Sequence, residues 1–341
     1  MSDSSSSAAA VLGRLRGRNN EGVLLLIILL LIGLVAVINP SALTLGMASD
    51  ILRSAIVNMT LALGLLLIIV SGGIDVSFTA IAIFSGYSTV VLMQSIGLDN
   101  PVLPFLGAIV IGALLGILNA VLVAGFRLPT LIATLGTQGI IRGALLALVG
   151  SLYISTLPAS LAGVGATNLI TLDSSPVNVL VIPVVVLCLV LAFVLKKTMF
   201  GRSVYAIGGS PESAKRAGIR VGRVQTTIYV AAGAISGFAG MTHVTVSGHA
   251  SPFELVGTEL DVIAAVVIGG ASDSGGRGSV QGVALGVLLI ALIQNSLVRL
   301  GVPGFWHEGV VGLVILVGVA IQAQSRRIRN KRSMILEGAI A

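Results

Sequence analysis

Residues 54–70 read SAIVNMTLALGLLLIIV, an uncharged run long enough to cross the hydrocarbon layer of a membrane. Similar runs recur along the whole chain of 341 residues, of which 55% are hydrophobic and only 10% are charged. The mean hydropathy is +1.07. A chain of this composition would expose large apolar areas if it folded in water, so the sequence predicts an integral membrane protein. The 43 glycines favour tightly packed helices, because small residues let helix backbones approach closely in lipid.

About 20 residues are needed for one crossing, and on this basis ten transmembrane helices are predicted. They are placed at 23–38, 54–70, 76–93, 105–125, 130–149, 177–195, 224–246, 256–270, 279–300 and 309–322. The eighth is the weakest, because it is short and carries Glu259 and Asp261 at its start; a broken or tilted helix is one interpretation. The predicted fold class is therefore all-α and polytopic, with a further short helix near 158–161 in the loop 150–176.

The positive charges orient these helices, since Lys and Arg collect in short cytoplasmic loops. With the N-terminus inside, only Arg53 and Arg299 fall in outer segments, and Arg142 falls within a span. This predicts cytoplasmic tails at 1–21 and 326–341 around a membrane domain at 22–325. Spans two to five and seven to ten would then have opposite orientations, as in inverted repeats. The net charge of +7 is explained by orientation, so nucleic acid is not an expected partner.

The most polar segment between spans is 200–219, FGRSVYAIGGSPESAKRAGI. The tripeptide Ser210-Pro211-Glu212 predicts a helix start, with Ser at the cap, Pro in the first turn and Glu at the positive end of the dipole. Ala214, Ala217 and Ile219 then predict a small apolar face, and Gly218 predicts the end of the helix. Such a helix suits insertion into a groove of a partner protein. The alternative is an ordinary cytoplasmic linker whose charges only maintain orientation.

Glycine-rich motifs occur in order along the chain. They are VSGGIDVS at 70–77, LPTLIATLGT at 128–137 followed by Arg142-Gly143, and ELDVIAAVVIGG at 259–270 followed by GGRGS at 275–279. Together with 200–219, these motifs resemble the ribose-type permeases of bacterial ATP-binding-cassette (ABC) importers for monosaccharides. The resemblance extends from Asn39-Pro40 to the last helix. Phe78-Thr79 stands where the family more often has Val-Gly. The related autoinducer-2 permeases accept Phe at this position, so the sugar-like autoinducer 2 remains a candidate solute.

The resemblance implies a permease subunit, not an enzyme, in the bacterial cytoplasmic (inner) membrane. Its implied partners are ABC ATPase subunits, a second permease copy or a paralogue, an extracytoplasmic sugar-binding protein and membrane lipid. ATP and Mg would be bound by the ATPase, and no cofactor by this chain. The implied coupling loop is 200–223. The residues assigned to it are Ser210, Pro211, Glu212, Ala214, Lys215, Arg216, Ala217, Gly218 and Ile219.

Polar residues in or beside the spans are candidates for a solute path without fixed charge. They are Asn58, Asp75, Asn119, Thr137, Gln138, Gln294 and Asn295. Hydrogen bonds between helices are the alternative role for the amides and hydroxyls. Asp75 and Asp261 lie near predicted helix starts, where capping competes with a role in the path. Arg142 could pair with Asp75 or with a backbone carbonyl.

Other functional classes find less support in the sequence. No Gly-x-x-x-x-Gly-Lys-Ser/Thr phosphate-binding motif occurs in the chain, and no catalytic arrangement is visible. The histidines His243, His249 and His307 lack the spacing of metal ligands, so no metal site is predicted. The alternative function is an ion-coupled secondary transporter, which would need an acidic or histidine relay at mid-membrane. The sequence instead suggests that the acidic residues lie at helix ends.

Overall fold

The computed structural model describes residues 21–40, 44–172 and 175–303, together with a few positions between 306 and 316. The elements in chain order are α1 (Glu21–Ile38), α2 (Leu45–Val70), α3 (Phe78–Ile96), α4 (Leu103–Ala120), α5 (Thr130–Ala144), α6 (Ala159–Ala166), β1 (Asn168–Leu172), β2 (Ser175–Asn178), α7 (Val181–Lys197), α8 (Met199–Gly209), α9 (Pro211–Arg216), α10 (Val221–Ser247), α11 (Thr258–Ile268) and α12 (Val280–Arg299). Helices α4 and α5 each continue into a π-helical turn, Val121–Gly125 and Leu145–Val149 respectively.

Helix α2 is the centre of the bundle. Every residue from Leu61 to Val70 is buried, and this run forms part of a large apolar cluster with side chains from α10, α11 and α12. Each of its faces is apolar, which is the pattern expected of a helix surrounded by other helices in a membrane protein.

The long helix α10 packs against α3 and α4 through glycines. A Cβ on Gly233 would lie 2.3 Å from the carbonyl oxygen of Gly112, and one on Gly112 would lie 2.2 Å from that of Gly233. A Cβ on Gly240 would lie 1.8 Å from the carbonyl oxygen of Ala82. The backbones therefore touch directly, as the high glycine content predicts.

The bundle has two distinct ends. The end that we call the basic end contains the α2–α3 connection, the start of α5, residues 196–223 and the 270–279 loop. It is held by a hydrogen bond from the Gly276 amide to the Val70 carbonyl and another from the Tyr205 hydroxyl to the Gly278 carbonyl. The opposite end contains the α3–α4 connection, helix α6 and the β1–β2 hairpin. There Arg299 pairs with Asp50.

The predicted crossings are matched in part. Within the described residues, six helices are long and apolar enough to cross a membrane, or seven if α7 and α8, bent by 72°, form one span. They correspond to the predicted second to seventh and ninth spans. Helix α1 coincides with the first prediction but belongs among the shorter apolar helices. Most of the predicted tenth span, 309–322, lies outside the described residues.

The predicted eighth crossing is matched only by a short helix, in agreement with the broken-helix interpretation. Helix α11 contains only 11 residues, so it is about 16 Å long, roughly half the thickness of the hydrocarbon layer. Hydropathy over 256–270 detects apolar residues but cannot tell a complete crossing from a half-helix.

The loop 150–176 also differs in detail from its prediction. The short helix is present as Ala159–Ala166, and a β1–β2 hairpin that the sequence did not suggest follows it. The residues that the structure describes are nevertheless mostly helical.

Two segments interrupt the helices within the bundle. Residues 71–77 connect α2 to α3 at the basic end, and residues 248–257 connect α10 to α11 at the opposite end. In lipid, such non-helical backbone needs partners for its polar groups. The α5 hydroxyls provide them for the first segment, since Thr130 accepts a hydrogen bond from the Ile74 amide and Thr134 accepts one from the Val76 amide.

Candidate functional site

The predicted cytoplasmic helix is present as α9 at the basic end. The hydroxyl of Ser210 accepts a hydrogen bond from the Ser213 amide at 3.2 Å, so Ser210 is the N-cap, and Pro211 occupies the first turn. Gly218 ends the segment with φ of +84°, a conformation that costs glycine little. The Ile219 amide closes this turn on the carbonyl of Ala214. Local sequence thus fixes the shape of the segment.

The orientation of α9 differs from the prediction at one residue. Ala214 is only 3% exposed and faces the interior of the chain, so it is unavailable to a partner in this conformation. Glu212, Lys215, Arg216 and Ala217 are exposed. The phase of a six-residue helix relative to the bundle depends on tertiary contacts, which the local sequence does not contain.

A groove of about 1040 Å³ lies between α9 and the α4–α5 connection. Its cationic lining residues are Arg127, Lys215, Arg220 and Arg223, and Glu212 adds one carboxylate. Apolar groups such as Leu128 and Pro129 form part of its wall. The basic end therefore presents a large, positively charged recess beside the exposed face of α9.

Three of the glycine motifs meet directly behind α9. A Cβ on Gly208 would lie 1.9 Å from the Val70 carbonyl oxygen and 2.5 Å from the Gly276 amide nitrogen. A Cβ on Gly275 would lie 2.7 Å from both the Gly72 Cα and the Gly208 carbonyl oxygen. We call this contact of Gly72, Gly208, Gly275 and Gly276 the glycine junction. It joins the end of α8 to the two connections that lead to α3 and α12.

Beyond the junction, residues 71–77 lead into a buried hydrogen-bond network. The Asp75 carboxylate accepts hydrogen bonds from the amide and hydroxyl of Ser77, both at 2.7 Å. Asn119 donates to the Ser77 hydroxyl at 2.8 Å, and Thr137 donates to the Asn119 side-chain oxygen at 2.7 Å. All four residues are buried. Three of the predicted path residues, Asp75, Asn119 and Thr137, therefore form one network that joins α3, α4 and α5.

The N-cap of α3 is Ser77, not Asp75. Asp75 instead accepts hydrogen bonds from Ser77 in the turn that precedes the helix. The capping interpretation of Asp75 was therefore wrong. Asp261 lies in the first turn of α11, where its carboxylate accepts a hydrogen bond from Gln294 of α12.

A second polar cluster surrounds Glu259 at the start of α11. One carboxylate oxygen of Glu259 accepts hydrogen bonds from Thr79 at 2.6 Å and from Gln138 at 2.8 Å. The guanidinium of Arg142 forms an ion pair with the same oxygen. We call Thr79, Gln138, Arg142 and Glu259 the Glu259 cluster. Glu259 is therefore the partner of Arg142. The two predicted partners, Asp75 and a backbone carbonyl, were wrong.

The depth of this cluster follows from α5. Gln138 and Arg142 stand 8 and 12 residues after Thr130, the first residue of the helix; at 1.5 Å per residue they lie about 12 and 18 Å along the axis of α5 from its start. Glu259 is bound to both, so the start of α11 lies beside the middle of α5. Glu259 thus lies at a helix start, as the sequence suggested, but this helix start is inside the bundle and not at its end.

The remaining predicted path residues do not join either group. Gln294 is bound to Asp261, and Asn295 donates to the Ala291 carbonyl of its own helix. Asn58 is partly buried on α2. Gln138 is the only predicted path residue that belongs to the Glu259 cluster. Arg142 and Glu259 were not among the predicted path residues, because pairing between distant helices has no local signal in the sequence.

At the opposite end, two histidines share one carboxylate. Glu254 contacts His243 through one oxygen and His249 through the other, which ties the 248–257 segment to α10. Burial alone would raise the pKa of Glu254, but hydrogen bonds and positive charge from the two histidines lower it below its ordinary value. Among the described residues, no group of three His, Cys, Asp or Glu side chains is arranged to hold a metal. His307 lies outside the described residues.

The fold and these sites define a polytopic helical membrane protein with a cationic end and a buried polar cluster around Glu259. The family model described as "branched-chain amino acid transport system / permease component" matches residues 47–319. The chain belongs to this permease family. It is a permease subunit of an ABC importer and a multi-pass protein of the bacterial inner membrane.

Individual relatives agree with this assignment. The chain is 32% identical over 320 residues to the autoinducer 2 import system permease protein LsrC of Enterobacter sp. strain 638, which covers 94% of this chain and 91% of the relative. It is 34% identical over 299 residues to the LsrC protein of Yersinia pseudotuberculosis serotype O:3 strain YPIII, covering 87% and 83% respectively. No solved structure matches the chain.

Proposed function

We propose that this subunit carries a monosaccharide or a similar small polyhydroxylated solute, such as autoinducer 2, into the cell, with energy from separate ATPase subunits. The similarity over almost the full length of permeases named for autoinducer 2 import carries the proposal for the solute. The exposed helix α9 beside a cationic recess supports the proposal for the ATPase. ATP and Mg would be held by that partner, and an extracytoplasmic binding protein would deliver the solute.

The proposed topology has ten crossings and places the basic end in the cytoplasm. Both tails, 1–21 and 326–341, would then be cytoplasmic, around a permease domain at 22–325. Helices α2 and α10 run in opposite directions, and each is followed by an interruption and by a helix that starts inside the bundle. This shared pattern supports two inverted repeats. The positive charge of Lys196, Lys197, Arg202 and the α9 region supports the cytoplasmic assignment.

The coupling mechanism follows from the glycine junction. A displacement of α8 and α9 by the ATPase would push on Val70 and Gly276, because the backbones are already in contact. These residues lead to α3 through 71–77, and to α11 and α12 through the 270–279 loop. The ATP-bound partner would favour one arrangement of these elements over the other and so alternate access to the solute path.

The proposed path keeps the predicted residues in two roles. Gln138 would face the solute, since it lies in the partly exposed Glu259 cluster. Asp75, Asn119 and Thr137 would hold the interrupted segment beside the path, because their hydrogen bonds are made to one another. Asn58, Gln294 and Asn295 stay candidates for contacts closer to either end.

The ion-coupled alternative must now be weighed against Glu259, an acidic residue inside the bundle. Its charge is balanced by Arg142, and a neutralised pair is a poor carrier for a transported cation. The importer therefore remains the better supported function.

The proposal for the solute is tested in cells that lack this gene. Uptake of labelled autoinducer 2, D-ribose and other aldoses is measured before and after the gene is restored on a plasmid. We expect loss and recovery of uptake for at least one of these solutes. Unchanged uptake of every sugar and of autoinducer 2, with loss of a branched-chain amino acid instead, would contradict the proposed solute class.

The docking role of α9 predicts a strong effect at Ala217. Replacing Ala217 with tryptophan places a large side chain on the exposed face, and ATPase binding should weaken by about 2 kcal/mol or more, as for central interface residues. The measurement is co-purification of the ATPase with the permease. Ala162→Trp at the opposite end is the matched control and should leave binding unchanged. Normal ATPase binding by Ala217→Trp would show that α9 is only a linker.

A further inference from the structure

The cationic recess beside α9 lies where two membrane-spanning helices begin. Arg127 stands just before α5, and Arg220 and Arg223 stand at the start of α10. Both helices are long and apolar enough to cross a membrane. Because a crossing helix begins where the chain enters the hydrocarbon layer, the recess lies at the level of the lipid headgroups.

The recess contains four cationic side chains that form no ion pair or side-chain hydrogen bond within the part of the chain that the structure describes: Arg127, Lys215, Arg220 and Arg223. Other arginines of the bundle do have partners, since Arg142 pairs with Glu259 and Arg299 with Asp50. Glu212 is the only carboxylate among the lining residues. The excess of positive charge in one recess favours an anionic ligand.

The backbone at Arg127 has an unusual conformation. Its φ is +59°, in the left-handed region that residues other than glycine rarely adopt. Two amide hydrogen bonds hold this turn, from Phe126 to the Val121 carbonyl and from Leu128 to the Leu122 carbonyl. Such a conformation persists only where the surrounding structure enforces it, and it is concentrated at functional sites and ligand sites. The turn keeps Arg127 in the wall of the recess.

The size and the walls of the recess suit the polar end of an amphiphile. Its volume of about 1040 Å³ matches the largest ligand sites, which reach about 1,000 Å³, and exceeds the needs of a single inorganic anion. Val123 and Leu128 give it an apolar wall beside the cations. Leu131 and Ile132, in the first turn of α5, are exposed apolar residues. An anionic headgroup with apolar chains matches this combination of surfaces.

The chain's own tails do not suit the recess, because they carry the same charge. Residues 1–20 contain three arginines and one aspartate, and residues 326–341 contain five cationic side chains and one glutamate. The same recess on a second copy would also be cationic. The occupant must therefore come from a different molecule.

We propose that the recess binds the headgroup of an anionic phospholipid, such as phosphatidylglycerol, with cations contacting its phosphate from both sides. The bound headgroup connects the α4–α5 connection to α9 and to the start of α10. Arg216 and Ala217 are exposed on α9 but do not line the recess, which leaves that side of α9 for the ATPase. The inference rests on the proposed function only for the side of the membrane, the cytoplasmic leaflet.

Lipid binding is measured on the purified full-length permease in a neutral detergent. The protein is titrated with phosphatidylglycerol labelled on an acyl chain, and with phosphatidylcholine that carries the same label. Phosphatidylglycerol should bind at least about tenfold more tightly, because the zwitterionic headgroup has no net charge. Equal binding of the two lipids would overturn the proposal.

Substitutions locate the site. The double variant Arg127→Gln with Arg223→Gln should weaken binding of phosphatidylglycerol about thirtyfold. Arg202→Gln is the matched control, because Arg202 is exposed at the same end but does not line the recess, and it should bind normally. If the double variant does not fold, Lys215→Gln on the exposed helix α9 should weaken binding about fivefold. Unchanged binding by the folded variants would overturn the site.

Two further measurements identify the occupant. Inorganic phosphate at millimolar concentration should not displace the labelled phosphatidylglycerol, and displacement would show a site for a free anion. Co-purification of the ATPase should be unchanged in the double variant. Loss of ATPase binding with normal lipid binding would show that the recess is a protein-docking surface and would overturn the lipid.

Failure of this inference is distinguishable from failure of the proposed function. The lipid titration contains neither solute nor ATPase, so it gives the same result whichever solute the permease carries. If phosphatidylglycerol does not bind, ATPase co-purification and solute uptake still test the importer independently.

Discussion

Gly208→Ala is expected to weaken coupling between ATP hydrolysis and transport. The new methyl group would lie 1.9 Å from the Val70 carbonyl oxygen, so the backbones at the glycine junction must separate. Overpacking of this kind costs about 1–3 kcal/mol, which corresponds to a shift of about 5- to 150-fold between two arrangements of the junction. Uptake and ATP hydrolysis are measured in vesicles that contain the complete importer. We expect uptake to fall by about that factor while the ATPase subunits still bind, because α9 itself is unchanged.

Gly209→Ala is the matched control for this prediction. Gly209 follows Gly208 in the same helix, is exposed, and has nothing within 4 Å of a built Cβ. The control should transport normally. Membrane insertion and thermal stability of both variants separate lost coupling from misfolding. Normal uptake by a stable Gly208→Ala protein would refute the glycine junction as the route of coupling.

Gly240→Ala should cause the largest loss of stability among single methyl additions to α10. The methyl group would lie 1.8 Å from the Ala82 carbonyl oxygen and would push α10 away from α3. We expect a destabilisation of about 1–3 kcal/mol, measured as a lower Tm in detergent and a lower yield of folded protein.

Gly222→Ala on the same helix provides the comparison. Gly222 has nothing within 4 Å of a built Cβ, and alanine has the higher helix propensity, so this variant should be as stable as the wild type or slightly more stable. An equal Tm for Gly240→Ala and Gly222→Ala would mean that α10 and α3 are not packed backbone to backbone.

Much of the fold could be predicted because a helix that crosses a lipid bilayer needs about 20 mostly apolar residues. Apolar length located the six helices that are long enough to cross and also α7, but it did not locate α8, which lies in the segment predicted as a cytoplasmic loop. The distribution of charge grouped the loops that share the basic end. The N-cap at Ser210 and the turn at Gly218 were predictable because both depend on neighbouring residues only. The motifs at 70–77, 200–219 and 259–279 identified the family that the comparisons then established.

The remaining features depend on contacts between distant segments. The short length of 256–270 and its acidic residues indicated a broken helix, but hydropathy could not locate its start, because an apolar stretch looks the same whether it starts at the membrane surface or inside it. The pairing of Arg142 with Glu259 joins residues 117 positions apart, and no local pattern indicates it. The inward direction of Ala214 was missed for a related reason: a short helix has the same apolar face whether that face meets a partner or its own chain.

The central claim is that this protein is a passive conduit that moves solute only when ATPase subunits act on α9. It is tested most directly by uptake into vesicles that contain the purified permease with its extracytoplasmic binding protein, with and without the ATPase subunits and ATP. The account predicts solute accumulation only when both the ATPase subunits and ATP are present. Accumulation by the permease without the ATPase, driven by a proton or sodium gradient, would contradict it.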